Sequence, residues 1–136
     1  TKPVGGKYSQ KEKTGIGAGM TILLAEDDIT SQLYMEELLG EDGIKIMHAR
    51  NGKEAVELYQ KHKVDLILMD IKMPVLSGLE ATRKIRELDP KIPIIAQTAY
   101  ASGSSRHQAL DAGCNDLITK PINGDQLIKM IRQFIE

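Results

Sequence analysis

"DLILMDIKMPVLSG", residues 65–78, runs an aliphatic segment straight into an acid and then turns at a proline. A carboxylate is costly to bury, so Asp70 needs a chemical reason to follow what reads as a core strand. Four more β-type runs lie on either side of it: "TILLA" (21–25), "IKIMH" (44–48), "IPIIAQ" (92–97) and "DLIT" (116–119). Each of the five runs precedes a stretch with helical signals. Strands alternating with helices imply right-handed crossovers and a parallel sheet covered by helices on both faces. Such a sheet buries its strands completely, which is why "TILLA" and "DLILM" are nearly continuous in apolar residues rather than alternating.

The helical signals are specific. Met35, Leu38 and Leu39 fall at helical spacing before Gly43. Asn51 with Glu54 and Ser77 with Glu80 resemble capping boxes, and Asn123 with Gln126 opens the last helix. Ala55 and Tyr59 share a face, as do Leu79, Thr82 and Ile85, and then Leu127, Ile131 and Ile135. The fourth helix, "SGSSRHQALDAG" (102–113), is the weakest, opening with small polar residues and ending at a C-cap candidate, Gly113.

Composition narrows the function. The chain has 136 residues, 41% of them apolar, enough for one domain with a proper core. With 18 basic and 19 acidic residues it carries no electrostatic footprint for nucleic acid or an anionic membrane. The single cysteine, Cys114, has no disulfide partner and no nearby ligand-spaced Cys or His, and no apolar run reaches the length of a membrane span. These features predict a cytoplasmic module with Cys114 as a packed side chain. Residues 1–19, with five glycines and four lysines, read as a flexible linker or expression remnant, leaving 20–136 as the folded domain.

In open parallel sheets, ligands bind beyond the carboxyl ends of the strands. At that edge the sequence gathers Glu26, Asp27 and Asp28 after the first run, Asp70 after the third, Thr98 after the fourth and Lys120 after the fifth. After the second run come Ala49 and Arg50, with no comparable group. Two carboxylates about 4 Å apart repel by ~1 kcal/mol in water and ~4 kcal/mol at an effective dielectric near 20, so a buried acidic cluster needs a cation or a proton. An oxygen-rich site with few protein ligands suits Mg²⁺, and no EF-hand loop is present for calcium. Taken singly, Asp28 serves equally well as a helix N-cap.

The stretches "ILLAEDD", "LILMDIKMPVLSG", "PIIAQTAYA" and "ITKPI", in that order and spacing, resemble the receiver domain of two-component response regulators, across essentially all of residues 20–136. The resemblance implies a flavodoxin-like (CheY-like) doubly wound sheet of five parallel strands in the order 2-1-3-4-5. It implies that Asp70 accepts a phosphoryl group from the phosphohistidine of a histidine kinase or histidine phosphotransfer domain. The family's acidic pair matches Glu26 and Asp27, with Asp27 on the Mg²⁺ directly and Glu26 through water. Asp70 and the backbone carbonyl of Lys72 complete the metal ligands, Lys120 and Thr98 bind phosphoryl oxygens, and Pro74, Gly78 and Pro121 shape the loops. The family's domain catalyses its own phosphorylation and dephosphorylation without being a stand-alone enzyme.

Three further expectations follow from that likeness. Leu117 stands where many receivers carry an aromatic switch residue, which argues against a rotamer switch there. Lys72 and Tyr100 flank the path of water to the phosphoryl group, so Tyr100 is expected to lengthen the phosphorylated lifetime. The "PI" after Lys120, with the linker-like start, implies the terminal receiver of a hybrid sensor histidine kinase; a free-standing regulator is the alternative, and a dimer through the fourth and fifth helices fits either. Two other functions compete. One is a receiver-like module that works by protein contact without phosphorylation. The other is a small-substrate aspartyl-phosphate hydrolase, which would want an acid where this chain has Lys72. A flavodoxin-type cofactor binder is weaker still, since no phosphate-cradling loop follows the first run.

Overall fold

The computed structural model describes residues 15–17, 19–40, 43–100 and 102–135. Five strands alternate with five helices: β1 (Thr21–Ala25), α1 (Ile29–Leu39), β2 (Lys45–Ala49), α2 (Gly52–Lys61), β3 (Leu66–Asp70), α3 (Gly78–Leu88), β4 (Ile94–Thr98), α4 (Gly103–Ala112), β5 (Asp116–Thr119) and α5 (Gly124–Ile135). All strand pairs are parallel and the sheet order is β2-β1-β3-β4-β5. This is the flavodoxin-like arrangement that the sequence implies.

Alternate strand residues feed two separate cores. Leu24, Leu68, Ile95 and Ile118 pack under α1 and α5 with Met35, Leu127 and Ile131. Leu23, Ile67, Met69 and Ala96 pack on the other face with Ala55, Ile85 and Ala109 from α2, α3 and α4. Every residue of the central strands β3 and β4 is buried, as expected of a sheet covered twice. Burying each large aliphatic side chain contributes about 2 kcal/mol, so these strands form the stiff part of the molecule.

The strand ends decide where the chemistry sits. Asp65 does not join β3: its carboxylate accepts the Thr21 N–H at 2.8 Å. Pro93 has no N–H, and β4 starts one residue later. Both strands therefore run later than the apolar runs suggest, and Asp70 and Thr98 are their last residues rather than the first of the loops. Asp70 pairs in register with Gln97, and the Ile71 N–H donates to the Gln97 carbonyl at 3.0 Å.

The helix signals hold in detail. Asn51, Ser77 and Asn123 accept the N–H groups of Glu54, Glu80 and Gln126. The weak fourth helix is a full element, capped by Ser102 and ended by Gly113 at φ 116°, a left-handed turn that suits glycine. Of residues 1–19, numbers 1–14 and 18 lie outside the described residues. Ile16, however, is 5% exposed and packs into the α1/α5 core, and the Gly19 N–H donates to the Gly43 carbonyl at 2.7 Å. Ordered contacts thus begin upstream of Met20. Among the described residues no helix is long and apolar enough to cross a membrane.

At the edge remote from the carboxyl ends, the Tyr59 hydroxyl on α2 donates to the Asp89 carboxylate that caps α3, at 2.6 Å. Burial, then the Asp89 contact, pushes the Tyr59 phenol up to about 12. Asp89 is held below its ordinary range by that hydroxyl and by the Lys91 N–H. Tyr59 therefore adds stability that is complete below its ordinary value of 10.0 and is lost as the pH climbs toward about 12. Tyr59→Phe should cost about 1 kcal/mol in urea melts at neutral pH. The gap between parent and variant should close as the pH rises above 10 and also as Asp89 protonates in acid; a gap that persisted at both extremes would remove this bond from the account.

Candidate functional site

β1 delivers Glu26 and Asp27, and the next residue turns the chain into α1. Glu26 is 0% exposed, an unusual position for a carboxylate, and every part of it is engaged. Its N–H donates to the Ala49 carbonyl at 2.9 Å and its own carbonyl accepts Gln32 Nε2 at 2.7 Å. Of its carboxylate oxygens, Oε2 accepts the Asp28 N–H at 3.1 Å and Oε1 accepts Lys120 Nζ at 3.1 Å. Gln32 lies one helical turn after Asp28; that spacing was the signal available in the sequence, although it did not single the residue out.

Asp70, 5% exposed at the end of β3, meets the same ammonium: Lys120 Nζ donates to Oδ2 at 3.0 Å, while the Lys72 N–H donates to Oδ1 at 3.3 Å. Glu26, Asp27 and Asp70 each offer one carboxylate oxygen, all within 4.8 Å of one another. Asp28 stands outside this group. It is exposed, and its carboxylate accepts the Ser31 N–H and hydroxyl, which lower its pKa. Its geometry is that of the N-cap of α1.

Lys120 reaches the acids because β5 ends beside β4, with the Lys120 N–H donating to the Thr98 carbonyl at 2.7 Å. Thr98 is 7% exposed, and its hydroxyl oxygen accepts the Tyr100 N–H at 3.2 Å. The Tyr100 ring is exposed at the rim, with Lys72 Nζ 5.3 Å from its centroid. The structure thus draws Glu26, Asp27, Asp70 and Lys120 together and sets Thr98 on the adjoining strand end. Leu117 is buried in the α2/α3/α4 core. Gly78 brings the loop after Asp70 back onto the strand: its N–H donates to the Ile71 carbonyl at 2.9 Å, and a Cβ there would overlap the Asp70 carbonyl oxygen.

Electrostatics follow from the crowding. Burial, reinforced by the charge of Asp70, raises the Glu26 pKa despite the hydrogen bonds from Asp28 and Lys120. Burial alone would lower the Lys120 pKa, but the hydrogen bonds and charges of Asp70 and Glu26 outweigh it and raise the value. One ammonium, hydrogen-bonded to Glu26 and Asp70, thus serves a cluster of three carboxyl groups, a surplus of acids over bases. An all-oxygen donor set with that surplus fits a small hard divalent cation.

The model of the response regulator receiver domain matches residues 22–132. The chain belongs to that family. This receiver domain of two-component signalling is 43% identical over 119 residues to the hybrid signal transduction histidine kinase I of Dictyostelium discoideum, a match covering 81% of this chain and 7% of that protein. Among solved structures, it is similar to the receiver domain of sensor histidine kinase PA1611 from Pseudomonas aeruginosa PAO1, with a magnesium ion coordinated in its active site cleft. That likeness has a TM-score of 0.80 and 38% identity, and covers 87% of this chain and 98% of that one. It is also similar to the receiver domain of Ssk1 from Saccharomyces cerevisiae, crystallised with the histidine phosphotransfer protein Ypd1. Here the TM-score is 0.81 and the identity 33%, over 87% and 90% of the two chains.

In this receiver, Lys120 holds the buried acids together. Removing one partner of a buried ion pair costs about 3 kcal/mol, because the remaining charge stays in the interior. Lys120→Met should therefore lower stability by about that amount in metal-free denaturant melts at neutral pH. A loss below about 1 kcal/mol would show that solvent, not Lys120, neutralises the cluster.

Proposed function

We propose that Asp70 is the phosphoacceptor, and that this receiver takes its phosphoryl group from the phosphohistidine of a histidine kinase or histidine phosphotransfer partner. One observation carries the reading: a carboxylate 5% exposed, at the end of a fully buried strand, shares a lysine ammonium with Glu26 and lies within 4.8 Å of the carboxylate oxygens of Glu26 and Asp27. In the transfer, an Asp70 oxygen bonds to phosphorus as the phosphorus–nitrogen bond to the imidazole breaks, and the imidazole leaves with that electron pair. Hydrolysis later breaks the new oxygen–phosphorus bond, with water as nucleophile, and returns the free carboxylate.

Phosphoryl transfer needs alignment and charge stabilisation more than covalent help. β3 holds Asp70 at the end of a fully buried strand, a set position from which to meet an incoming phosphorus. Lys120 has a third N–H beyond those given to Glu26 and Asp70, and it turns that donor to a phosphoryl oxygen. The Thr98 hydroxyl, whose oxygen accepts from Tyr100, keeps its own proton to donate to another. Glu26, Asp27, Asp70 and the Lys72 carbonyl would hold a magnesium ion, which supplies Lewis-acid neutralisation of the phosphoryl charge when bound. Two apolar side chains are open to a partner: Ile29 and Leu33, one turn apart on α1 and 69% and 61% exposed, on the helix that follows the acidic pair. The hydrolase alternative loses support because Lys72 offers no second carboxylate and is instead engaged with Tyr100.

Incubation with a small phosphodonor and Mg²⁺ should label the parent but not Asp70→Asn, and chelation should abolish the signal. Equal labelling of the two proteins would eliminate Asp70 as acceptor, and no labelling of either would favour a contact-only module. Tyr100, with Lys72 against its ring, covers the approach of water to the acyl phosphate. Tyr100→Ala should hydrolyse several-fold faster in single-turnover decay, and an unchanged lifetime would refute the shielding role.

A further inference from the structure

Helix α2 contributes no side chain to the acidic cluster, yet its first residue touches the loop that follows Asp70. Gly52 is buried, and its N–H donates to the Leu76 carbonyl at 3.0 Å. That N–H is one of the donors a helix start leaves without an intrahelical acceptor, so the loop is what satisfies it. The Leu76 N–H in turn donates to the Pro74 carbonyl at 2.7 Å, across Val75 at φ 70°. This is the rarer, strained form of γ-turn, made costlier by a β-branched residue at its centre. Such strain persists only where the surroundings over-determine it. Gly78 closes the far end of the loop on Ile71, and Gly52 holds its middle.

A side chain at position 52 has nowhere to go. Its Cβ would overlap the Leu76 carbonyl oxygen, and would lie 2.8 Å from the Leu76 carbonyl carbon and 2.9 Å from the Ser77 oxygen. All three are backbone atoms, so no rotamer relieves the clash. The start of α2 is itself fixed: Asn51 Oδ1 accepts the Glu54 N–H at 2.8 Å, Glu54 Oε1 accepts the Arg50 N–H at 2.7 Å, and Ala55 is fully buried. The loop from Ile71 to Ser77 is the part that yields, and it carries Lys72. We infer that Gly52 is a positioning residue for the phosphoacceptor loop, setting from a neighbouring helix where the Lys72 backbone stands relative to Asp70. This rests on the phosphoacceptor reading above.

The test compares Gly52→Ala with Ala55→Gly, a change in the same helix that lowers stability without approaching the loop. Mg²⁺ alone is titrated calorimetrically into the full chain, and each variant's melting temperature is recorded. Gly52→Ala should weaken Mg²⁺ binding by about tenfold or more, the range seen when groups that orient metal ligands are lost. Ala55→Gly should bind as the parent does while melting earlier. Parent-like Mg²⁺ binding by a folded Gly52→Ala overturns the inference, as does equal weakening in the two variants.

A measurement without variants covers a Gly52→Ala protein that fails to fold. In ¹⁵N spectra of the parent, the Gly52 amide resonance should move with Mg²⁺ at the same midpoint as that of Lys72, while that of Ala55 stays in place. A static Gly52 resonance beside a moving Lys72 overturns the inference and leaves the phosphoacceptor reading standing. A parent that does not bind Mg²⁺ at all sinks both.

Discussion

Two carboxylates with almost no solvent access share one ammonium at the carboxyl edge of this sheet, and the rest of the molecule is arranged around that arrangement. Glu26 and Asp70 would repel strongly in a partly dry site, on the order of 4 kcal/mol at contact distance, without Lys120 between them. The ammonium can reach both only because β5 ends next to β4 and β4 next to β3, which is a property of the strand order. The same order places Thr98 one strand from Asp70. A sheet with another connectivity would need long loops to assemble the set, and loops would not hold buried charges at hydrogen-bond distance.

This site is poised rather than satisfied. The cluster keeps a surplus of negative charge after Lys120 is counted, and the raised Glu26 pKa records the cost. β3 and β4 are buried throughout, whereas the loop after Asp70 stores strain at Val75 and is held by contacts from Gly52 and Gly78. Strain kept next to a reactive group lets a small change in charge be answered by a discrete change in loop geometry. Arg86 donates to the Gly113 carbonyl at 2.8 Å and to Asn115 Oδ1 at 2.9 Å, tying down the end of α4 remote from the site.

Much of this was legible from residue pattern. The capping pairs located three helix starts, and continuous apolar runs next to acids gave both the parallel sheet and its functional edge. What escaped was whatever depends on a partner distant in sequence. That Asp70 and Thr98 close their strands is decided by pairing with β4 and β5, which hydrophobic runs do not encode. Ile16 sits in glycine- and lysine-rich surroundings that read as linker, and only its burial against α1 and α5 shows it belongs to a core. Gly52 reads as an ordinary residue after an N-cap, since the carbonyl it must not touch lies in another segment. Gln32 was hidden for a related reason: it binds backbone, and backbone acceptors leave no mark in a sequence.

The charge at the site also constrains how a phosphodonor is recruited. On the proposed reading a phosphohistidine would bring negative charge toward three carboxyl groups, which Lys120 and a bound cation would have to offset, and the chain as a whole, at net charge −1, adds no attracting field. Apolar surface would add affinity without that conflict. α1 begins just after the Asp28 cap, buries Met35 and Leu39 against the sheet, and still leaves Ile29 and Leu33 in solvent. An apolar outer face is expensive for an isolated domain and useful only where another apolar surface covers it. Because Asp28 both caps that helix and donates its N–H to Glu26, the start of α1 and the acidic cluster are tied together through these two residues. A partner seated on α1 would therefore stand in a set relation to the proposed phosphoacceptor, with apolar contact and charge kept on separate groups.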